Sequence, residues 1–500
     1  MAARGCHFFF LTMANQPVVV SAPDVHDGWI FAGLLALLVW APLPLGSNRT
    51  WAIGVLLMLA LLLLGGTLVA WRRHPLAALD RLAGFRWPLG LLAAMVVLSW
   101  LQTCLLPAAW VNALSPMAAA AQVPAGWMTL SLDVFQSRTM SALSFVYFAV
   151  FLVALLAVRD AARLDRLAQV LVWSGVLQAV LGAVLFSLKS EYLLFFSEVS
   201  HQNMIGTFVN RNSLAGYLCM CLSVGIGLML ARLGGKHERH VNWQARLRTG
   251  IDFMLSAKMR LRMMLVVMVI ALVLTRSRMG NAAFFSAMMV VGFLAIALAR
   301  KTAPHTIALI ASLVIIDVLV VGTWVGLEKV VERIQDTEMT VAAGGKSESV
   351  EARTEAARTA LAMVQDFPLT GTGGGSFYNV FLSYRTPQFG YSYVDHAHND
   401  FVEIATDYGL LGLAILGALV ALSLWTVLLV LARRKSNLPR GIAFGVAMSM
   451  VALLVHSMVD FNLQIPANAL TMVVIIAMGW ITHTLPSPSE RRKTSEEAQT

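Results

Sequence analysis

Twelve stretches of about 20 mostly apolar residues recur along this 500-residue chain, each long enough to cross a bilayer as a helix. The candidate spans are 29–46, 51–70, 87–107, 141–158, 167–187, 212–231, 263–280, 281–299, 305–326, 401–431, 441–460 and 469–484. In hydrocarbon every backbone N–H and C=O must be satisfied within the protein, so stretches of this kind form helices. Composition agrees: 58% of residues are hydrophobic and 13% charged, where soluble domains have about 45–50% and about 25%. A water-soluble enzyme, a disordered chain and a secreted disulfide scaffold are excluded. The expected fold is an all-α, polytopic membrane helix bundle of about twelve transmembrane helices. Cys6, Cys104, Cys219 and Cys221 are too few and too apolar in setting for a disulfide framework or a zinc site. Met1 to Asn15 lacks the apolar core and cleavage site of a signal peptide, so the first span is expected near Trp29.

Lysine and arginine set the orientation. With the N-terminus inside, 25 of the 37 fall in cytoplasmic segments, and six of the other 12 lie in one long loop that the positive-inside rule discounts. Both termini are therefore expected in the cytoplasm. The basic charge of +10 is explained by topology, with no nucleic acid partner, and the basic segment 232–262 could also meet anionic headgroups. The chain divides into a cytoplasmic segment 1–28, nine spans over 29–326, a large periplasmic loop 327–400, three spans over 401–484 and a cytoplasmic tail 485–500. A loop of that length is uncommon unless it is functional or disordered. Its composition predicts order: Glu348 to Gln365 is rich in helix formers, with Ala356, Ala360, Leu361 and Val364 on one stripe, and Phe367-Pro368 stops it. The loop is read as a small, partly helical, lid-like subdomain.

Four clusters at the outer boundary carry residues capable of chemistry. The first is His201 to Asn212, where Arg211 sits between Asn210 and Asn212; one reading is helix capping by an asparagine, the other a ligand-binding arginine. The second is Thr275-Arg276-Ser277-Arg278. Two arginines at an outer boundary oppose the charge rule, and they either snorkel to headgroups or bind an anion. Spaced two apart, they diverge by about 200° on an intact helix. The helix must end or unwind there for both to reach one ligand, and Gly280 is placed to allow it. Arginine's planar fork of donors matches phosphate.

The third cluster is Asp395-His396-Ala397-His398-Asn399-Asp400. Asp400 with Glu403 three residues on has the form of a helix-start capping box, so Asn399 and Asp400 read equally well as structural. His396 and His398 suit a general base or hydrogen-bond donor near neutral pH. Asp395, His396 and His398 could also ligate a metal, although two histidines two apart make a weak metal signature. The fourth cluster places His456 and Asp460 four apart, as a relay or a mutual brace. Gly371-Thr-Gly-Gly-Gly375 lacks the βαβ context of a dinucleotide site, and the absence of any Asp-x-Asp argues against a metal-dependent nucleotide-sugar transferase.

His398-Asn399, nine residues, then Gly409-Leu410-Leu411-Gly412 resembles the His-Asn-x9-Gly-x-x-Gly pattern of the O-antigen ligases and related Wzy-type polymerases. Gly206 to Asn212, Thr275 to Arg278 and His396 to Asp400 agree with it, as do the twelve spans and the large loop before the last three. The resemblance covers most of the chain from about residue 130 onward. It implies a metal-independent, inverting glycosyltransferase of the GT-C type, without a cofactor, in the inner membrane of a Gram-negative bacterium with its active face periplasmic. The implied donor is an undecaprenyl-diphosphate-linked glycan, and the acceptor is lipid A core or another lipid-linked glycan. By carry-over, His398 activates the acceptor hydroxyl, with His396 beside it, and Arg211, Arg276 and Arg278 hold the diphosphate. Asn210, Asn399, Asp400, Glu403 and Asp460 support them. The ligase reading stands slightly ahead of the polymerase. A secondary transporter or flippase using Asp317, His456 and Asp460 is the alternative from another class; it lacks the matched broken segments of inverted repeats. A zinc-dependent hydrolase using Asp395, His396 and His398 is a third.

Overall fold

The structure is a computed structural model that describes residues 25–188, 203–232, 256–298, 350–389 and 394–486. The expected span 305–326, His201, Asp317, the segment 327–349, the basic connection 233–255 and the ends of the chain lie outside the described residues. The first helices are α1 (Gly28–Trp40), α2 (Thr50–Trp71), α3 (Pro75–Ala83) and α4 (Arg86–Leu101). Two short helices, α5 (Ala108–Leu114) and α6 (Pro116–Ala120), follow, framed by a small antiparallel pair of β1 (Leu106–Pro107) with β2 (Trp127–Met128). Then come α7 (Val134–Ala157), α8 (Ala161–Ser187), α9 (Arg211–Arg232), α10 (Ala257–Leu274) and α11 (Arg278–Leu298). The long connection carries α12 (Val350–Asp366) and α13 (Phe377–Phe381), and α14 (Asp400–Arg433), α15 (Asn437–His456) and α16 (Pro466–Thr484) complete the bundle.

Among the described residues eight helices are long and apolar enough to cross a membrane, or nine if α3 and α4, bent through 94°, form one broken span. The chain is an all-α, integral membrane protein. Eleven of the twelve expected spans meet a helix, but not all of these qualify. At 13 residues α1 reaches only about 20 Å. Its extension to residue 46 is lost because Pro42 and Pro44 cannot continue the helix. α10 begins with Lys258, Arg260 and Arg262, which displace its apolar stretch.

Between two membrane helices the hydrophobic effect gives no drive to associate, so small residues and close backbones do the work. α9, buried almost throughout its length, packs on α15 in this way. A methyl group on Gly227 would stand 2.3 Å from the Gly441 carbonyl oxygen and 2.8 Å from the Gly445 nitrogen. Ser449 Oγ donates to the Met220 carbonyl at 3.3 Å along the same contact. One end of the bundle is held by basic side chains: Arg159 and Arg163 each reach the buried Asp27 at 2.8 Å, and Arg232 faces Asp165 at 3.4 Å. The clusters singled out in the sequence gather at the other end.

α14 is interrupted at Gly409, whose φ of 67° and ψ of −175° only glycine adopts readily. The carbonyls freed by the break are taken by the glycine-rich segment 371–375. Thr372 N donates to the Thr406 carbonyl at 2.8 Å and Gly373 N to that of Asp407 at 3.0 Å, while Leu410 N returns a bond to Pro368 O at 2.8 Å. Gln102 of the loop after α4 closes the junction, donating to the Thr370 and Asp407 carbonyls and accepting from Gly374 N. The Gly371-Thr-Gly-Gly-Gly375 run is thus a docking strip. α12 forms as expected and stops before Pro368, but its buried stripe is Ala356, Ala360 and Met363. Leu361 is exposed and Val364 only half-buried, because the apolar partners Phe377, Phe381 and Phe389 lie one position round the helix.

A methyl at position 409 would meet the Leu369 carbonyl oxygen at 2.2 Å on top of the strained φ. Gly409→Ala is expected to destabilise the protein by roughly 1–3 kcal/mol. Thermal unfolding in detergent tests this, and a wild-type melting temperature would refute the break as a packed feature.

Candidate active site

Asn399 is the N-cap of α14: its Oδ1 accepts from Phe401 N and Val402 N at 3.0 and 3.1 Å, and its Nδ2 donates to the Met458 carbonyl at 2.8 Å. The expected capping box is therefore corrected by one residue. Asp400 does not cap; buried, it accepts from Ser457 Oγ at 2.5 Å and from Leu463 N at 3.1 Å, clasping the connection between α15 and α16. Glu403, three residues along, points back past the cap. One carboxylate oxygen accepts from Ala397 N at 2.9 Å and the other meets His396 Nδ1 at 2.7 Å. This bite forces the chain into a tight turn, and His398 occupies the left-handed region with φ 51°.

Both imidazoles lie against Phe461. The ring of His396 stacks on it at 4.0 Å with an interplanar angle of 17°, and that of His398 meets it edge-on at 5.2 Å and 67°. Burial pulls the His396 pKa down, but the charge and hydrogen bond of Glu403 outweigh this and raise it to about 9. His396 is accordingly an imidazolium at neutral pH. The adjacent Asp460 is buried and accepts from Phe461 N at 2.9 Å. Its other oxygen faces Arg353 Nη1 at 3.6 Å and His456 Nε2 at 3.8 Å. His456 and Asp460 do not share a helix, since α15 ends at His456.

The arginines sit at helix starts. α10 ends at Leu274 and α11 begins at Arg278, with Arg276 in the left-handed conformation at φ 54°. Thr275 and Ser277 turn inward: Thr275 Oγ1 bonds the Leu272 carbonyl at 2.6 Å, and Ser277 Oγ accepts from Gly280 N at 3.1 Å as the cap of α11. Arg276 and Arg278 are left exposed. The unwinding expected here is present, but it is made by Arg276 and the Ser277 cap. Gly280 instead permits close packing, with a methyl there 2.6 Å from Ala215 Cβ of α9. Arg211 is the first residue of α9, capped by Asn210, whose Oδ1 accepts from Asn212 N at 2.8 Å.

These starts are tied to the histidine turn through α16. Asn468 Nδ2 reaches the Ser213 carbonyl at 3.0 Å and Asn462 Oδ1 at 3.2 Å, and Asn462 also packs on Gly216. The structure thus brings Asn210, Arg211, Arg276, Arg278, His396, His398, Asn399, Asp400, Glu403 and Asp460 to one end of the bundle. Two arginines at helix N-termini oppose the local dipole, an arrangement that an anion there would reverse. Among the described residues no group of three or more His, Cys, Asp and Glu is disposed to hold a metal ion. Sequence reasoning missed Arg353, Phe461 and Asp407. Arg353 stood in an ordinary amphipathic helix, and Phe461 was one of 24 phenylalanines.

Residues 263–417 match the family model described as O-Antigen ligase. The match supports the O-antigen ligase and Wzy superfamily for this chain. The matched segment holds Arg276, Arg278, the docking strip, both histidines, Glu403 and the Gly409 break of this ligase-like domain; Arg211, Asp460 and Phe461 lie beyond it. No curated protein matches the chain.

The raised pKa of His396 fixes a pH dependence. Its folded value of about 9 exceeds the ordinary value of about 6.5, so the pair with Glu403 contributes fully below about pH 6.5 and is lost as pH rises through about 9. Activity that depends on the ordered turn should fall along an alkaline limb near pH 9. Glu403→Gln should move that limb to lower pH; pH–rate profiles in proteoliposomes with superimposable limbs would refute the assignment.

Proposed function

We propose that the chain transfers a glycan from an undecaprenyl-diphosphate-linked donor to an acceptor hydroxyl at the periplasmic face of a Gram-negative inner membrane, in the manner of an O-antigen ligase. The reading rests on one observation: two histidines on a shared ring stand at the same end of the bundle as Arg211 and Arg278, each first in its helix, and Arg276 in the break before α11. The family match to O-antigen ligase supports a transferase of the ligase and polymerase type. It also implies a lipid-linked glycan as substrate.

The chemistry is a single in-line displacement, without a metal. The acceptor oxygen attacks the anomeric carbon as its proton passes to His398. The bond from that carbon to the diphosphate oxygen breaks, and the electron pair leaves with the lipid diphosphate, inverting the anomeric configuration. His396, already protonated against Glu403, is a poor base and supplies positive charge and orientation. Arg211, Arg276 and Arg278 receive the charge that develops on the leaving diphosphate, a task suited to fixed, preorganised donors. Asn210, Asn399, Asp400 and Glu403 hold these groups in place, and Asp460 braces the turn beneath them.

His398→Ala should abolish transfer with the protein still folded and inserted. In the native host, deletion complemented by this variant should leave long lipid-linked chains beside bare lipid A core. Single repeat units without long chains would assign a polymerase, and unchanged glycans in every fraction would refute the proposal. Arg276→Lys and Arg278→Lys should each lower kcat/KM by about tenfold or more if the guanidinium fork engages diphosphate. Full turnover in both lysine variants would return these arginines to headgroup snorkelling.

A further inference from the structure

Building on that reading, in which His398 is the base, we infer that Phe461 is the positioning residue for both imidazoles, and that Arg353 of the long connection positions Phe461 through Asp460. Neither histidine is seated in a rigid element, since both precede the cap of α14. What they share is one aromatic ring. His396 lies flat on Phe461 and His398 stands edge-on to it, so the orientation of each imidazole is referred to the same side chain. Phe461 is itself buried and sits in the short connection between α15 and α16.

That connection is gripped from two sides. Asp400 and Asn399, at the start of α14, bond Ser457, Leu463 and Met458. From the other side, α12 lays Arg353 against Asp460 at 3.6 Å and against the Val459 carbonyl at 3.5 Å. Asp460 is 2% exposed, and a buried carboxylate deprived of its cation is strongly unfavourable. Its second oxygen holds the backbone nitrogen of Phe461 itself. Lifting α12 off the bundle would strip the counter-charge from Asp460 and release the turn that sets both imidazoles. Docking of the long connection and alignment of the base are therefore one coupled event. A group misplaced by about 1 Å can cost about a hundredfold in rate, which gives such a coupling its size.

The test is steady-state kinetics in proteoliposomes with a lipid-linked glycan donor, alongside melting temperatures. The variants are Phe461→Leu, Phe461→Tyr, Arg353→Gln, Arg353→Lys, the Phe461→Leu/Arg353→Gln pair and His398→Ala. Phe461→Leu should lower kcat by about 10- to 100-fold with donor KM nearly unchanged, and Phe461→Tyr, which keeps the ring, should restore most of it. Arg353→Gln should lower kcat, with Arg353→Lys partly rescuing, and the pair should be little worse than Phe461→Leu alone because the two act in series. Wild-type kcat in Phe461→Leu, with His398→Ala inactive, would overturn the positioning role and leave the transferase reading intact. Losses that multiply in the pair would overturn the route through Asp460. An active His398→Ala would remove the transferase reading and this inference with it. Should Phe461→Leu not fold, Arg353→Gln decides: reduced kcat at an unchanged melting temperature supports the coupling, and unchanged kcat overturns it.

Discussion

The break in α14 at Gly409 is the constraint from which the candidate site follows. A membrane helix cannot leave backbone carbonyls unpaired in hydrocarbon, so an interruption survives only where another part of the protein takes up the freed groups. Here the strip 368–373 does so: Thr372 N and Gly373 N donate to the Thr406 and Asp407 carbonyls, and Leu410 N donates to the Pro368 carbonyl. Gln102 bonds both partners and ties in the connection after α4. Gly375 N donates to Asp407 Oδ2 at 2.7 Å, so even the buried carboxylate beside the break belongs to the junction. The long connection is thereby sewn onto the bundle two turns from the histidine turn, and α12 is delivered to Asp460.

The polar groups at this end divide by function along the chain. Asn399, Asn210 and Ser277 spend their side chains on helix starts, and Asp400 on the connection to α16. Of their neighbours, Arg276 and Arg278 are exposed, and Arg211, His396 and His398 are half-buried. In Thr275-Arg276-Ser277-Arg278 the alternation is visible residue by residue: hydroxyls inward and buried, guanidinium groups outward and exposed. The opposite end shows the contrasting use of arginine. There Arg159 and Arg163 converge on a single buried aspartate and serve structure alone.

Much of the candidate site was legible from sequence because its residues are local. The His-x-His turn, the paired arginines and the cap at 399–403 lie within a few residues of one another, and their types allow few roles. The capping residue itself was misassigned by one, because Asn and Asp are equally good caps and only packing shows that Asp400 is already committed to Ser457. The helical stripe of α12 slipped by one side for a similar reason: an amphipathic pattern names a face, but its partner chooses the register. Among the described residues two expected spans meet shorter apolar helices, because prolines follow Trp40 and a lysine and arginines open α10.

The sequence by itself determined that this chain crosses a membrane many times, and which residue types at which spacing stand beside its apolar stretches. Hydrophobicity and charge are summed along the chain, so they can be read along it. Only the tertiary structure decided that Phe461 packs against two histidines 63 and 65 positions away, and that Arg353 reaches Asp460, 107 positions away. It likewise turned a glycine run with no motif context into the partner of a broken helix. Contacts of that range depend on which helix ends fold together, and no local pattern of side chains encodes it.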